Sequence, residues 1–138
     1  MAGKYTGTQR TYTLEDSTMA QNLGVTYGTT EGSCKKPTST GAYPLGVVRN
    51  DERLNDPLRA SGDQTGRNIA VQVDQYPSIE LSGTVAYGDQ VVLASGGTAI
   101  KLPVAAGSYY VLGTAEKAGV SGDVIPVKMN VMKVVVSA

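Results

Sequence analysis

The stretch from Val85 to Met129 is the most informative about the fold, because much of it repeats an earlier part of the chain. It opens with Val85-Ala86-Tyr87-Gly88, which matches Val25-Thr26-Tyr27-Gly28. Ordered matches separated by loop-sized insertions are typical of two copies of one supersecondary unit, whereas chance similarity between two glycine-rich β stretches is the alternative. We predict a duplication with halves at residues 23–76 and 82–132. The further matches, in chain order, are Lys35-Lys36-Pro37 with Lys101-Leu102-Pro103, Leu45-Gly46 with Leu112-Gly113, Ser61-Gly62-Asp63 with Ser121-Gly122-Asp123, and Ile69-Ala70-Val71 with Ile125-Pro126-Val127.

Short β-compatible runs follow one another from Leu23 onward. Residues 68–74 alternate, with Ile69, Val71 and Val73 on one face, which is the pattern of a half-buried strand. Ser95-Gly96-Gly97-Thr98 predicts a hairpin turn, because glycine takes positive φ without steric cost. No convincing helix appears apart from a weak signal near residues 114–118. The predicted fold class is all-β, a small barrel or sandwich of roughly eight to ten short strands.

Three Gly-Asp pairs punctuate these runs and predict tight turns. In such turns glycine takes the strained φ, and the aspartate side chain accepts a hydrogen bond from a free backbone N–H. The pairs could also be read as calcium ligands, but they lie far apart in sequence and each is explained by its own turn. The pairs are Gly62-Asp63, Gly88-Asp89 and Gly122-Asp123.

Residues 1–22 differ from the rest, being polar and threonine-rich with no helical or alternating period. Their main apolar side chains are Tyr5, Tyr12 and Leu14. Such a segment cannot bury enough surface to order itself. It is therefore expected to be either a disordered tail or an extended N-terminal arm that orders against a partner, ahead of a β domain over residues 23–138.

The composition of the 138 residues argues against most chemistry. The formal net charge is zero, and histidine, tryptophan and phenylalanine are absent. Without histidine there is no Ser-His-Asp or Cys-His pair, and the commonest metal ligand is missing. We therefore expect no enzyme, no cofactor and no metal site. A neutral chain also has no general attraction to nucleic acid, and no apolar run is long enough for a membrane helix.

Cys34 is the only cysteine, so it cannot form an internal disulfide. Beside Lys35 and Lys36 its pKa could be lowered and the thiol reactive. The favoured interpretation is an incidental thiol in a polar loop. The N-terminus lacks an apolar signal region, which predicts a reducing cytosol, or a particle assembled there, as the location.

Residues 49–59 carry the highest density of charge in the chain. Asp51, Glu52 and Asp56 could serve as paired carboxylates in acid–base work. Nothing nearby would desolvate them, so a solvated loop is the better interpretation. Because the loop has no counterpart in the second copy, it is also a candidate contact surface, with the arginines Arg49, Arg53 and Arg59.

The sequence Val127-Lys128-Met129 after a Gly-Asp pair has a faint likeness to biotinyl and lipoyl carrier domains. Here Lys128 lies inside an alternating run, so it is expected on the solvent face of a strand rather than at a hairpin tip. No phosphate-binding glycine loop is present, and the tyrosines do not alternate with basic residues as in an RNA-binding sheet.

The second half of the chain resembles a known family, the small β-rich decoration (cement) proteins of tailed-bacteriophage heads. The resemblance covers roughly residues 40–136, and the first copy matches more loosely, at Pro44-Leu45-Gly46-Val47-Val48. The charged residues 49–59 have no place in the family pattern. The motifs are a Gly-Asp-x-Val strand, a Leu-Gly-x-Ala strand and a Gly-Asp-x-Ile/Val-x-Val strand, found here at Gly88–Val91, Leu112–Ala115 and Gly122–Val127.

The resemblance implies a structural virion protein that binds the outer surface of the capsid and stabilises the head, after assembly in the host cytoplasm. Its partner would be the major capsid protein, and it would be a homo-oligomer, with a trimer favoured over a dimer. A terminal arm that reaches across subunits would give residues 1–22 a purpose. The candidate contacts are then Tyr5, Tyr12, Leu14, Arg49, Arg53 and Arg59. The alternatives are a phage tail-tube or head–tail connector protein, and a non-viral ligand-binding β module.

Overall fold

The fold is all-β, as the sequence predicts. A computed structural model describes residues 8–49 and 65–137, and within these ranges it contains ten strands and no helix. The strands are β1 (Gln9–Leu14), β2 (Gly24–Tyr27), β3 (Ser33–Lys35), β4 (Gly46–Val48), β5 (Asn68–Gln72), β6 (Ser78–Glu80), β7 (Gln90–Leu93), β8 (Ala99–Lys101), β9 (Gly107–Ala115) and β10 (Val124–Val136).

The strands form two five-stranded units. In the first unit, β1 to β5, the order β1-β3-β2-β4-β5 closes into a barrel, because β1 pairs antiparallel with β5 and parallel with β3. In the second unit, β6 to β10, the order is β6-β10-β9-β7-β8. A parallel bridge between Leu81, just after β6, and Ala99 of β8 links the two ends of this sheet.

The two units have the same topology, which supports the predicted duplication. When β1 to β5 are set against β6 to β10, every pair of neighbours corresponds, and four of the five pairings are antiparallel in both. The fifth is the parallel closure, made by two residue pairs between β1 and β3 and by the single Leu81–Ala99 bridge in the second unit.

Individual hydrogen bonds repeat as well. The N–H of Asn22 donates to the carbonyl of Val48 at 2.8 Å, and the N–H of Gly88 donates to the carbonyl of Ala115 at 2.9 Å. Asn22 and Gly88 both have positive φ, 66° and 88°. A second pair of matching bonds, each 2.8 Å long, runs from Gly66 to Leu14 and from Gly122 to Leu81, and these glycines also have positive φ.

These contacts correct the repeat register at two places. Gly88 corresponds to Asn22 rather than to Gly28, since Val25 lies in β2 whereas Val85 lies outside the strands and bridges Gly119. Gly122 corresponds to Gly66, whereas the matched Gly62 lies outside the described residues. The matches of Leu45-Gly46 with Leu112-Gly113, and of Ile69 with Ile125, agree with the strand pairing.

The repeated Leu-Gly pair has a packing reason. A Cβ on Gly46 would collide with the backbone carbonyl of Gln72 in β5. A Cβ on Gly113 would collide in the same way with the carbonyl of Lys128 in β10. In each unit the glycine lets two neighbouring strands approach more closely than any other residue allows.

Each unit has its own core, and β4 lies between them. Val48 belongs to the first core with Leu14, Val25, Cys34, Ile69 and Val71. Val47, the preceding residue, packs into the second core with Ile79, Leu81, Val85, Leu93, Leu112, Ile125 and Val127. Backbone hydrogen bonds also cross the junction, from Gly24 to Gly97 at 2.7 Å and from Glu80 to Asn22 at 2.9 Å.

The structure corrects the N-terminal arm. Residues 9–14 form β1, an integral strand of the barrel with five residue pairs to β5, so the first unit begins well before residue 23. Residues 1–7 lie outside the described part. Tyr12 and Leu14 alternate with threonines, which is a strand pattern, but the polar composition of the segment obscured it.

We predict that Gly46→Ala and Gly113→Ala each destabilise the fold by about 1–3 kcal/mol, the usual cost of overpacking a tight site. Urea unfolding at neutral pH measures this change. Gly83→Ala is the matched control, because a Cβ there meets only Ile100 at 3.7 Å, and it should unfold like the parent protein. Equal stability of all three variants would contradict the close-approach explanation.

Candidate functional site: an aromatic groove where the two units meet

Three tyrosines from different strands and loops form an exposed cluster at the junction. The rings of Tyr27 and Tyr43 stack with centroids 5.7 Å apart, and Tyr110 meets Tyr43 edge-to-face at 5.3 Å. Tyr27 stands at the end of β2, Tyr43 precedes β4, and Tyr110 lies in β9 of the second unit. Tyr27 remains 57% exposed even within the cluster. The three residues are called the tyrosine cluster below.

A groove of about 220 Å³ runs beside this cluster. One wall comes from the first unit and the other from β10, so the groove exists only because the units are packed together. Its lining includes the polar residues Arg10, Tyr12, Tyr27 and Tyr43, and the other lining residues have apolar side chains. The lining residues are Arg10, Tyr12, Tyr27, Tyr43, Pro44, Leu45, Val73, Met129 and Val131.

This composition suits binding to a protein surface. Tyrosine combines a large apolar ring with a hydroxyl that tolerates water, and tyrosine and arginine are enriched among the residues that dominate interface energies. Contiguous exposed apolar surface on a soluble protein commonly marks such a contact. The groove and the tyrosine cluster are therefore the best candidate functional site in the part of the chain that the structure describes.

The structure places the contact residues proposed from the sequence in different environments. Tyr12 is half-buried and lines the groove. Leu14 is only 1% exposed and belongs to the first core, so its expected contact role is corrected. Arg49 is half-buried directly after β4, and its backbone N–H donates to the carbonyl of Ala70 at 3.0 Å. Tyr5, Arg53 and Arg59 lie outside the described residues.

The sequence did not single out the tyrosine cluster. Tyr27 entered only as a member of a repeat match, and the sequence patterns assigned no role to Tyr43 and Tyr110. Tyr110 is brought to Tyr43 where its backbone N–H donates to the carbonyl of Gly41, a contact between the units that no local pattern records. Each of the three tyrosines is at least about a third exposed, but this is a property of the folded chain, and no local sequence signal records it.

Glu15 holds the turn between β2 and β3. One oxygen of its carboxylate, Oε2, accepts hydrogen bonds from the Ser33 hydroxyl at 2.6 Å and from the Thr29 N–H at 2.7 Å. The hydrogen bond from Ser33, aided by those from Thr29 and Thr30, lowers the pKa of Glu15 to about 2. A Cβ on Gly28 would fill the place of this carboxylate, which explains the glycine.

We predict that Glu15→Gln destabilises the protein at neutral pH. A carboxyl group with an ordinary pKa of 4.5 when unfolded and about 2 when folded contributes its stability above pH 4.5 and loses it as the pH falls toward 2. The difference in urea midpoint between the parent and Glu15→Gln should therefore shrink over this interval. Glu31→Gln, an exposed carboxylate beside the same turn, is the control and should match the parent throughout.

Cys34 lies in β3 inside the first core and is 0% exposed. Burial, with added repulsion from Asp16 and Glu15, raises the pKa of its thiol to about 12. Both earlier interpretations are corrected by this position, since the residue is neither a reactive thiolate nor part of a polar loop. It behaves as a small core hydrophobe.

We predict that Cys34 does not react with an aromatic disulfide reagent such as DTNB in the native protein near pH 8, because the thiolate is scarce and shielded. In guanidinium chloride the same sample should release one equivalent of coloured thiolate. Rapid labelling of the native protein would show that the first core opens readily.

The other sequence hypotheses concern local structure. The aspartates of two Gly-Asp pairs accept turn hydrogen bonds as predicted, Asp89 from Ala86 and Asp123 from Val120, both at 2.9 Å. Lys128 is exposed on β10, also as predicted. Within residues 8–49 and 65–137 no three metal-ligating side chains cluster, and no helix could cross a membrane.

Comparison with known proteins shows a likeness to a solved structure. No family model matches the chain, and no curated protein sequence matches it. Among solved structures, the chain is similar to the head fiber gp8.5 N base of bacteriophage phi29, with a TM-score of 0.53 and 14% sequence identity. The match covers 89% of this chain and 93% of the phi29 chain. At this identity the likeness shows a common fold.

Proposed function

We propose that this protein is a structural component of a bacteriophage head that binds the outer surface of the capsid and stabilises the shell. The partner is the major capsid protein, and the attached form is a homo-oligomer. The protein is not an enzyme and makes no direct contact with nucleic acid or membrane. Assembly takes place in the host cytoplasm.

The observation that carries the proposal is the fold shared with a phage head fiber base along almost the whole length of both chains. The resemblance to decoration proteins in the second half of the sequence points to the same part of the virion. A neutral chain with an exposed tyrosine cluster adds a surface suited to protein contacts. Many modest contacts repeated around a shell combine through multivalency, so each need not be strong.

The phi29 likeness also favours a second candidate, in which the protein is the base that fixes an appendage to the head. Both candidates require attachment to the outside of the capsid. They differ in what lies beyond the β units, since a decoration protein ends at the capsid surface whereas a base carries a projecting structure.

The direct test is co-sedimentation of the purified protein with DNA-filled heads that lack it, followed by electron microscopy. Regular density on the outer surface would support the proposal, and a projecting fibre in native virions would favour the base. Binding to tails, or tubes formed by the protein alone, would instead identify a tail-tube or connector protein. A protein that binds neither heads nor tails would instead favour the hypothesis of a non-viral ligand-binding β module.

We predict that the double variant Tyr27→Ala/Tyr43→Ala weakens head binding by at least about 30-fold, because truncating a central interface residue costs about 2 kcal/mol or more. The measurement is the bound fraction in the same sedimentation assay. Tyr87→Ala is the matched control, since Tyr87 is an exposed tyrosine outside the cluster. Undiminished binding of the double variant, with its folding intact, would move the capsid contact to another surface.

A further inference from the structure

The outer edge of β10 is covered along only part of its length. Near its start, β10 pairs with β6, and the N–H groups of Val127 and Met129 donate to the carbonyls of Pro77 and Gln75. A register shift follows between Met129 and Met132. From there to Val136, β10 pairs with β9 on one side, and no other described strand pairs with it on the opposite side.

The direction of the backbone groups on this edge follows from one hydrogen bond. The N–H of Tyr110 in β9 donates to the carbonyl of Gly41 at 3.0 Å, so it points away from β10. Tyr110 is paired with Lys133, and in an antiparallel pair both residues then turn their N–H and C=O groups outward. Lys133 and, two residues on, Val135 therefore present donors and acceptors at the edge with which no strand of residues 8–49 and 65–137 pairs.

The side chains here are almost all apolar. Between residues 131 and 136 the only charge is Lys133, and Val135 is 67% exposed. A two-stranded ribbon, here residues 107–110 with 133–136, is at best marginally stable in water by itself. Proteins usually protect an exposed edge with proline, charge or a very short strand.

The two end strands of the second sheet, β6 and β8, are protected in this manner. β6 and β8 have three residues each, with Pro77 next to β6 and Pro103 just after β8. The parallel bridge between Leu81, just after β6, and Ala99 of β8 also brings the edges of these two strands together. The contrast identifies the far half of β10 as an edge that is built to receive another strand.

We infer that the β10 edge from Val131 to Val136 pairs antiparallel with the same edge of a second copy, joining the two ribbons into one four-stranded sheet. A two-fold interface is self-complementary, so one edge suffices for both partners. Pairing centred on Lys133 would place like charges opposite each other, which is unfavourable. Centring on Val134 places Lys133 opposite Val135 of the second copy. The outward N–H and C=O groups of both residues then form hydrogen bonds between the copies.

The inference deepens the proposed homo-oligomer by naming the surface that joins two copies, and it is tested in solution without heads. Sedimentation velocity over a dilution series should give twice the 14.3 kDa chain mass for the parent protein. Val135→Lys should raise the dimer dissociation constant at least about tenfold, because it places lysines on facing strands. Val104→Lys, the same change at a loop valine that is 89% exposed, should sediment like the parent.

A cysteine variant tests the register independently. Val134→Cys should form a disulfide-linked dimer under mild oxidation, since residues directly opposite in a non-hydrogen-bonded pair have Cβ atoms about 4.5–5.5 Å apart. Val104→Cys should remain a single chain on a non-reducing gel. Cys34 does not interfere, because it is buried.

Four results would overturn the inference: a parent protein that stays monomeric, a dimer insensitive to Val135→Lys, a trimer in solution, or no cross-link through Val134→Cys. A monomer whose head binding is lost in Val135→Lys would assign the edge to a strand of the capsid protein. In each of these cases the head role stands or falls on the separate co-sedimentation result.

Discussion

Strand β4 is buried on both faces, and the rest of the structure depends on it. Val47 contributes to the core of the second unit and Val48 to the core of the first, while Gly46 allows the close approach of β5. A three-residue strand without a solvent face acts as a wall shared by two cores. Separating the units would expose apolar surface on both sides at once, so they are expected to unfold as one cooperative block.

The aromatic groove is a product of this shared wall. Neither unit contains the groove alone, since Met129 and Val131 of β10 form one wall and residues of the first unit form the other. A duplicated fold thereby gains a surface that a single copy lacks. The divergence of the second copy is concentrated nearby, where β10 runs on well past the point at which its counterpart β5 ends.

Local patterns predicted the all-β class, the Ser95–Thr98 turn, the Gly-Asp turns and an alternating strand at residues 68–74, of which 68–72 form β5, because each depends on neighbours in sequence. They did not reveal β3, whose three residues are ordered by pairing with β1 and β2. They also did not define β10 as one strand, since the irregularity between Met129 and Met132 interrupts its alternation. The groove could not be predicted from local patterns, because it depends on how the two cores pack together.

The burial of Cys34 has a practical consequence for the exterior of the molecule. The chain contains one cysteine, and the first core encloses it, so the native surface carries no thiol of its own. A single cysteine introduced at an exposed turn, such as the one at Tyr87, would be the sole site for conjugation. Fluorophores, affinity tags or whole domains could then be attached at one defined position on each copy without first removing the native cysteine.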